Sequence, residues 1–142
     1  MPTRSEVIAH ARTLLGTPFH HQGRVPGAGL DCVGTPLITL WHFGLVDRSW
    51  DAERYSRQPN PPQIYEFVRK LIRAGIAWSI PKDERLPADV MLMRIKDDPQ
   101  HFAWVTDIGM LHCHITLGVI EHGMDAMLVK SIAKVYRIRG VE

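Results

Sequence analysis

The hexapeptide Gly29-Leu30-Asp31-Cys32-Val33-Gly34 stands where a loop rich in glycine and proline, residues 17–29, gives way to an apolar helical pattern over residues 33–43. It places Cys32 at the predicted start of a helix. Unpaired backbone N–H groups and the positive end of the helix macrodipole favour an anion there. We therefore expect a lowered thiol pKa and a thiolate that can act as a nucleophile. Such a nucleophile also needs a base, which another part of the chain must supply.

The composition favours a single domain over residues 1–142, because 142 residues with 45% hydrophobic side chains are enough for one core. The formal net charge is only +2, and the Lys and Arg residues are scattered along the chain, which argues against nucleic-acid binding. Two cysteines without CxxC spacing indicate free thiols rather than a disulfide framework or a zinc ribbon. We expect no signal peptide and no membrane span, since no apolar run is long enough to cross a bilayer.

Helical periodicity and helix-end signals predict three helices in the first half of the chain, over about residues 3–16, 32–43 and 60–75. The first begins with a capping box formed by Thr3 and Glu6. The second is apolar on most sides, so we expect it to be central and buried. The polar stretch 45–59 is interpreted as a surface connection that could border a cleft.

After Trp78 the helical period changes to alternation, which predicts five short strands over residues 89–95, 101–107, 110–115, 118–122 and 132–138. Helices followed by strands indicate an α+β fold, with N-terminal helices packed on an antiparallel sheet of about five strands. The pattern excludes a βαβ nucleotide-binding fold, because no glycine-rich loop connects a strand to a helix.

Histidines on the predicted strands are the candidate bases. If residues 108–109 form the tip of a hairpin, strand parity places His101, His112 and His114 on one face of the sheet. Cys113 then points to the opposite face, which predicts an inert thiol in the core. Cys32 is left as the only candidate nucleophile.

A Cys–His pair is completed by a third polar group that fixes the imidazole orientation. We predict Cys32 as the nucleophile and His101 as the base. The third residue has two candidates. Strict register places His112 opposite Val105 and favours His114, which is nearer to His101, whereas a bulge in the turn would advance His112.

The loop that leads into Cys32 contains the pair His20 and His21, and it should form one wall of the site. Adjacent loop histidines are candidate metal ligands. No set of Cys, Asp or His residues with matching spacing accompanies them, so we expect no metal ion and no other cofactor.

Five blocks stand in order along the chain, at residues 15–19 with the glycine loop at 23, 29–34, 88–92, 99–103, and 110–113 followed by 118–122. In this order they resemble the NlpC-type cysteine peptidases of the papain-like fold, and among these the short form encoded in phage tail gene clusters. The resemblance covers most of the chain and leaves out mainly residues 45–80.

The resemblance implies a papain-like fold in which Cys32 is the nucleophile, His101 the base and His112, rather than His114, the orienting residue. It implies hydrolysis of amide bonds in bacterial peptidoglycan stem peptides, typically next to D-glutamate and a diamino acid. Peptidoglycan and phage tail proteins are the implied partners. The implied location is the host cytoplasm during assembly or the phage tail itself.

The chain departs from the family pattern at Phe19, where many members have a tyrosine that helps to bind substrate. His20, His21 or the backbone N–H of Cys32 are candidates to supply an oxyanion donor instead. Asp31 is a candidate helix cap, and its charge would oppose thiolate formation. Two other functions stay open, namely a non-catalytic tail assembly component and a Cys–His acyltransferase or thioesterase.

Overall fold

The computed structural model describes residues 1–52, 54–57 and 59–142. Glu53 and Gln58, within the predicted connection 45–59, lie outside the described residues. The elements follow in the order α1 (Arg4–Arg12), β1 (Arg24–Val25), β2 (Gly29–Leu30), α2 (Gly34–His42), α3 (Pro61–Arg73), β3 (Ala77–Ile80), a 3₁₀ turn (Lys82–Glu84), β4 (Val90–Ile95), β5 (Asp98–Val105), β6 (Met110–His114), β7 (Gly118–His122), α4 (Ala126–Lys130) and β8 (Ile132–Ile138).

The main sheet has six strands in the order β3-β8-β4-β5-β6-β7, with antiparallel pairing between neighbours. The predicted α+β class with an antiparallel sheet is confirmed. Strands β4 to β8 correspond to the five predicted strands. The sequence did not predict β3 because its burial does not alternate, and α4 and the two-residue strands β1 and β2 are too short to show a period.

The predicted capping box of α1 is present. Thr3 Oγ1 accepts from the Glu6 N–H at 3.1 Å, and the Glu6 carboxylate accepts from the Thr3 N–H at 2.8 Å. Such a cap stabilises a helix by about 1 kcal/mol. Regular helix ends at Arg12 and continues as turns to residue 16, so α1 is shorter than predicted.

Helices α1, α2 and α3 pack against one face of the sheet and form the main core. Their buried apolar residues are Val7, Ile8, Ala11, Leu37, Leu40, Ile64 and Val68, and the sheet contributes Val90, Leu92, Phe102, Trp104, Leu111 and Cys113 among others. Burying each large aliphatic or aromatic side chain contributes about 1.5 to 3 kcal/mol. The prediction that Cys113 is a core thiol is confirmed, since it is only 2% exposed.

The opposite face of the sheet carries a second, smaller cluster, formed by Met91, Met93, Ala103, Val105, Met110, Ile132 and Val135 and partly covered by Ile80, Met124 and Leu128. The hairpin register places Met110, not His112, opposite Val105, so the predicted pairing is wrong. The error is two residues, which preserves strand parity. The predicted face of His112 is therefore unchanged.

Among the described residues, no helix combines the length and the apolar character needed to span a bilayer.

Candidate active site

Asp31 organises the turn that leads into α2, which begins at Gly34, two residues later than predicted. Its Oδ1 accepts from the N–H groups of Val33 at 3.1 Å and Gly34 at 2.8 Å, and its backbone carbonyl accepts from the Thr35 N–H at 3.0 Å. These are donors that a helix N-terminus otherwise leaves without a partner. Asp31 therefore caps this turn, and Cys32 is the turn residue that directly follows it.

The Asp31 carboxylate is also the centre of a buried ionic network. Arg24 Nη1 donates to Oδ1 at 3.0 Å, while the Gln22 N–H at 2.9 Å and the Tyr55 hydroxyl donate to Oδ2. The Arg24 guanidinium also contacts Asp51 at 2.9 Å and the Tyr55 hydroxyl at 2.7 Å. Asp31 is only 2% exposed, and five donors compensate the loss of its hydration. It has a structural position beneath the site rather than on its surface.

Gly34 is required by the close approach of the loop to the helix start. A Cβ at this position would lie 2.5 Å from the Gly23 carbonyl oxygen and 2.9 Å from Arg24 Nη1. Any side chain would therefore push the guanidinium away from Asp31.

The Cys32 thiol lies against the edge of β5. Its Sγ is 4.0 Å from the Gln100 carbonyl oxygen, and the Phe102 N–H is directed at the sulfur. Strand β5 pairs with β6 only through its last two residues, so these backbone groups face the thiol instead of a strand. Since Cys32 contacts the residues on both sides of His101, the thiol and this histidine belong to one site.

Burial determines the protonation state of the nucleophile. It raises the pKa of the Cys32 thiol to about 12, and the Asp31 charge adds to the increase, whereas the Phe102 N–H and Arg24 act in the opposite direction. The expectation that the helix N-terminus lowers this pKa is wrong. The nearest N–H groups donate to Asp31, and desolvation outweighs what is left of the helix field. The thiol is protonated at neutral pH.

The sheet face beside the thiol carries a chain of hydrogen-bonded imidazoles. His101 Nε2 lies 2.7 Å from His112 Nδ1, and His112 Nε2 lies 2.9 Å from His122 Nε2. His122 Nδ1 lies 2.8 Å from the Gly123 carbonyl oxygen. Neighbouring rings stand nearly perpendicular, at 88° and 82°. Among the described residues, no three His, Cys, Asp or Glu side chains are arranged to hold a metal ion.

His101 and His112 are held neutral by their surroundings. Burial, followed by the neighbouring His114, lowers the pKa of His101 to about 4. Burial, followed by His101 and His122, lowers the pKa of His112 to about 3. At neutral pH both rings are uncharged, so His101 can accept a proton.

His114 has a different position from His112. Its Nδ1 accepts from the backbone N–H groups of Thr116 at 3.0 Å and Leu117 at 3.1 Å, so it caps the turn between β6 and β7. Of the two candidates for the orienting residue, the structure brings His112 into contact with His101. The catalytic roles of these residues stay predictions.

A cleft of about 340 Å³ opens beside Cys32, His101 and His112. Its other lining residues are Phe19, Arg57, Pro59, Met93, Arg94, Ile95, Gln100, Met110, Cys113, His114, Ile115 and Leu128. Phe19 is among these lining residues, and the Arg57 guanidinium lies 5.6 Å from the centre of its ring. Among the described residues of this lining, Arg57 and Arg94 carry charged side chains.

The structure does not bring His20 and His21 into the cleft lining. His20 Nδ1 lies 3.0 Å from the His21 carbonyl oxygen, and the His21 ring packs edge-on against Tyr55 at 5.6 Å. Their predicted contact with substrate therefore has no support from their positions. The same holds for Asp31, whose carboxylate is engaged by the network described above.

The architecture matches solved structures of other proteins. The NlpC/p60 domain of the peptidoglycan hydrolase SagA superposes with a TM-score of 0.58 at 18% identity, covering 96% of this chain and 97% of that one. The chain has the NlpC/p60 fold. An NlpC/P60 family protein from Bacillus cereus superposes with a TM-score of 0.65 at 17% identity, covering 94% of this chain and 39% of that one. No protein-family model and no curated protein sequence matches the chain.

At such identities the likeness concerns the fold. The papain-like architecture expected from the five sequence blocks is confirmed. The phage tail subgroup stays a prediction.

Proposed function

We propose that this protein is a cysteine peptidase that hydrolyses amide bonds in peptidoglycan stem peptides, of the type between D-glutamate and a diamino acid. One observation carries the proposal. The Cys32 sulfur contacts the backbone on both sides of His101, whose ring is hydrogen-bonded to His112 at 2.7 Å. The NlpC/p60 fold of a peptidoglycan hydrolase supports the substrate class.

The resting site contains a neutral thiol and a neutral imidazole, so attack and proton transfer are coupled. His101 takes the thiol proton as the Cys32 sulfur bonds to the carbonyl carbon. The tetrahedral intermediate then collapses to a thioester, and His101 gives that proton to the leaving amine. In the second half, His101 takes a proton from water, which attacks the thioester, and returns it to the departing sulfur.

The backbone N–H of Cys32 is the candidate oxyanion donor. The N–H groups of the next three residues all donate to Asp31. Among the hydrogen bonds of the described residues, the Cys32 N–H has no acceptor. A donor fixed in the turn before α2 costs little reorganisation when the oxyanion forms.

The charge of the cleft supports an acidic peptide. Arg57 and Arg94 contribute its charged side chains, and no carboxylate stands among the described lining residues. Arginine binds carboxylates well, because its planar guanidinium matches their geometry. A peptide with D-glutamate and a diamino acid carries such groups beside the scissile bond.

Cys32→Ala tests the assignment. Wild-type protein incubated with defined muropeptides should release fragments detectable by mass spectrometry, whereas Cys32→Ala should lower the rate by at least about 10³-fold. Cys113→Ala is the matched control, since this thiol donates to the Leu30 carbonyl in the core, with an Sγ–O distance of 3.2 Å. Circular dichroism checks that both variants fold. Undiminished cleavage by Cys32→Ala would contradict the proposal.

Association with a phage or prophage tail is a further part of this proposal, with the protein in the host cytoplasm during assembly or carried in the tail. The order of the five sequence blocks supports it. Mass spectrometry of purified tails from a producing strain tests it, and the absence of the protein from both tails and assembly intermediates would contradict it.

A second candidate activity, acyl transfer or thioester hydrolysis by the same Cys–His pair, is favoured by the apolar part of the cleft. Met93, Ile95, Met110, Ile115 and Leu128 line it, and such a surface suits an acyl chain. Incubation with acyl thioesters of increasing chain length separates the two activities. Turnover of thioesters without release of muropeptide fragments would favour the acyl substrate.

A further inference from the structure

His122 ends the imidazole chain and is not among the residues predicted to act in catalysis. Its Nδ1 lies 2.8 Å from the Gly123 carbonyl oxygen. A carbonyl oxygen can only accept a hydrogen bond, so Nδ1 of His122 must carry a hydrogen. In the neutral ring, Nε2 of His122 is then an acceptor.

This assignment determines the tautomers of the other two histidines. Because His122 Nε2 accepts, His112 Nε2, 2.9 Å away, must be the donor. His112 Nδ1 is then without a hydrogen and accepts from His101 Nε2 at 2.7 Å. Among the nitrogens of these three rings, Nδ1 of His101 is then left with a lone pair that can accept a proton.

We infer that His122 is a positioning residue: together with the Gly123 carbonyl, it fixes the tautomers of His112 and His101 and selects Nδ1 of His101 as the nitrogen that takes the thiol proton. Its consequence for catalysis rests on the proposed function. The tautomers themselves do not depend on any substrate.

The reverse arrangement is unfavourable at both ends. It would place the lone pair of His122 Nδ1 against the lone pairs of the Gly123 carbonyl oxygen, 2.8 Å away. It would also place a hydrogen on Nδ1 of His101, which could then no longer accept the thiol proton. Among the described residues, no carboxylate is hydrogen-bonded to any of the three rings. His112 therefore takes the place that an Asp or Asn has in other triads, and the Gly123 carbonyl is the acceptor at the far end of the hydrogen-bonded rings.

Nitrogen-15 NMR of histidine-labelled protein at neutral pH reads the tautomers directly, without substrate. Wild-type protein should show His122 with hydrogen on Nδ1, and His112 and His101 with hydrogen on Nε2. In His122→Ala the donor of His112 loses its partner, so both tautomers of His101 should become populated. His122→Gln should restore the wild-type tautomers, since its amide can both donate to the Gly123 carbonyl and accept from His112.

Kinetics on muropeptides gives the second readout. His122→Ala should lower kcat by on the order of 10-fold, the lower end of what outer-shell partners contribute, with KM unchanged, and His122→Gln should recover most of the loss. His42→Gln, at the exposed end of α2, is the matched control. It should leave kcat and the tautomers of His101, His112 and His122 unchanged.

The two kinds of failure can be distinguished. A wild-type spectrum with hydrogen on Nδ1 of His101, or an unchanged spectrum in His122→Ala, would overturn the inference whatever the activity. The expected spectra without muropeptide cleavage would overturn the proposed function and leave the tautomer assignment in place.

Discussion

The surroundings of Cys32, here called the thiol side, and those of His101 and His112, here called the base side, differ in their electrostatics. The thiol side is anchored by a buried carboxylate, since Asp31 is paired with Arg24 at 3.0 Å and caps the turn that carries Cys32. On the base side, the His101 and His112 rings are uncharged at neutral pH, because burial holds the pKa of His101 at about 4 and that of His112 at about 3. On the thiol side, the Asp31–Arg24 ion pair fixes the turn that carries Cys32. On the base side, the uncharged state of His101 allows it to accept a proton.

This difference shows where a nucleophile of this kind obtains its reactivity. A preformed thiolate–imidazolium pair would need a lowered thiol pKa and a raised histidine pKa, and burial moves both in the opposite direction. The reactivity must come from a base that is held close and neutral.

The largest expected effect is a loss of activity when the base His101 is replaced. His101→Gln leaves the thiol protonated without an acceptor, so kcat/KM for muropeptide cleavage should fall by about 10²- to 10⁴-fold. The charged network around Asp31 is untouched, so urea unfolding should shift by less than about 1 kcal/mol. Wild-type turnover by this variant would show that another group is the base.

The fold was predictable because its signals are local. The capping box at Thr3, the Asn60 cap of α3 and the alternation after Trp78 each specify an element within a few residues. Strand β3 was missed because tertiary packing, rather than its own pattern, makes it a strand.

The site was predictable only in part. Strand parity placed His101 and His112 on one face, but their contact depends on where the β5–β6 ladder ends, which parity does not specify. Arg24 and Tyr55 gave no signal, since nothing in a loop pattern marks a residue that will meet a buried carboxylate. His122 could have been found, because alternation over 118–122 places it diagonally from His112. The raised thiol pKa was unpredictable, since it follows from burial.

On the thiol side, we expect a substitution to lower the free energy of unfolding rather than to remove a reacting group. Asp31→Asn removes the charge that faces Arg24 and turns one oxygen into a donor opposite the Gln22 N–H and the Tyr55 hydroxyl. Breaking a buried pair in this way costs about 3 to 5 kcal/mol, to be measured by urea unfolding. Asp83→Asn is the matched control at an exposed carboxylate, with an expected change within about 0.5 kcal/mol. Equal small losses in both variants would show that the network does not stabilise the fold.

The smallest expected effect is the pH dependence of folding stability that His101 and His112 cause. The folded pKa of His101, about 4, and that of His112, about 3, lie below the ordinary value of 6.5. Below pH 6.5 the unfolded chain therefore binds protons that the folded chain does not. Their contribution to stability is complete above pH 6.5 and is lost as the pH falls toward 4 and then 3. Each group contributes up to about 1.4 kcal/mol per pH unit in this window.

His112→Gln removes one of these two contributions. Urea unfolding at pH 7, 6 and 5 should therefore show a shallower loss of stability in the variant than in the wild type. Equal slopes would mean that His112 binds its proton as readily in the folded protein as in the unfolded chain, so that it becomes charged below pH 6.5. The base side would then carry charge, and the contrast with the Asp31 side would no longer hold. A shallower slope, with Asp31→Asn costing stability at pH 7, would show that burial keeps the base neutral while an ion pair holds the nucleophile in place.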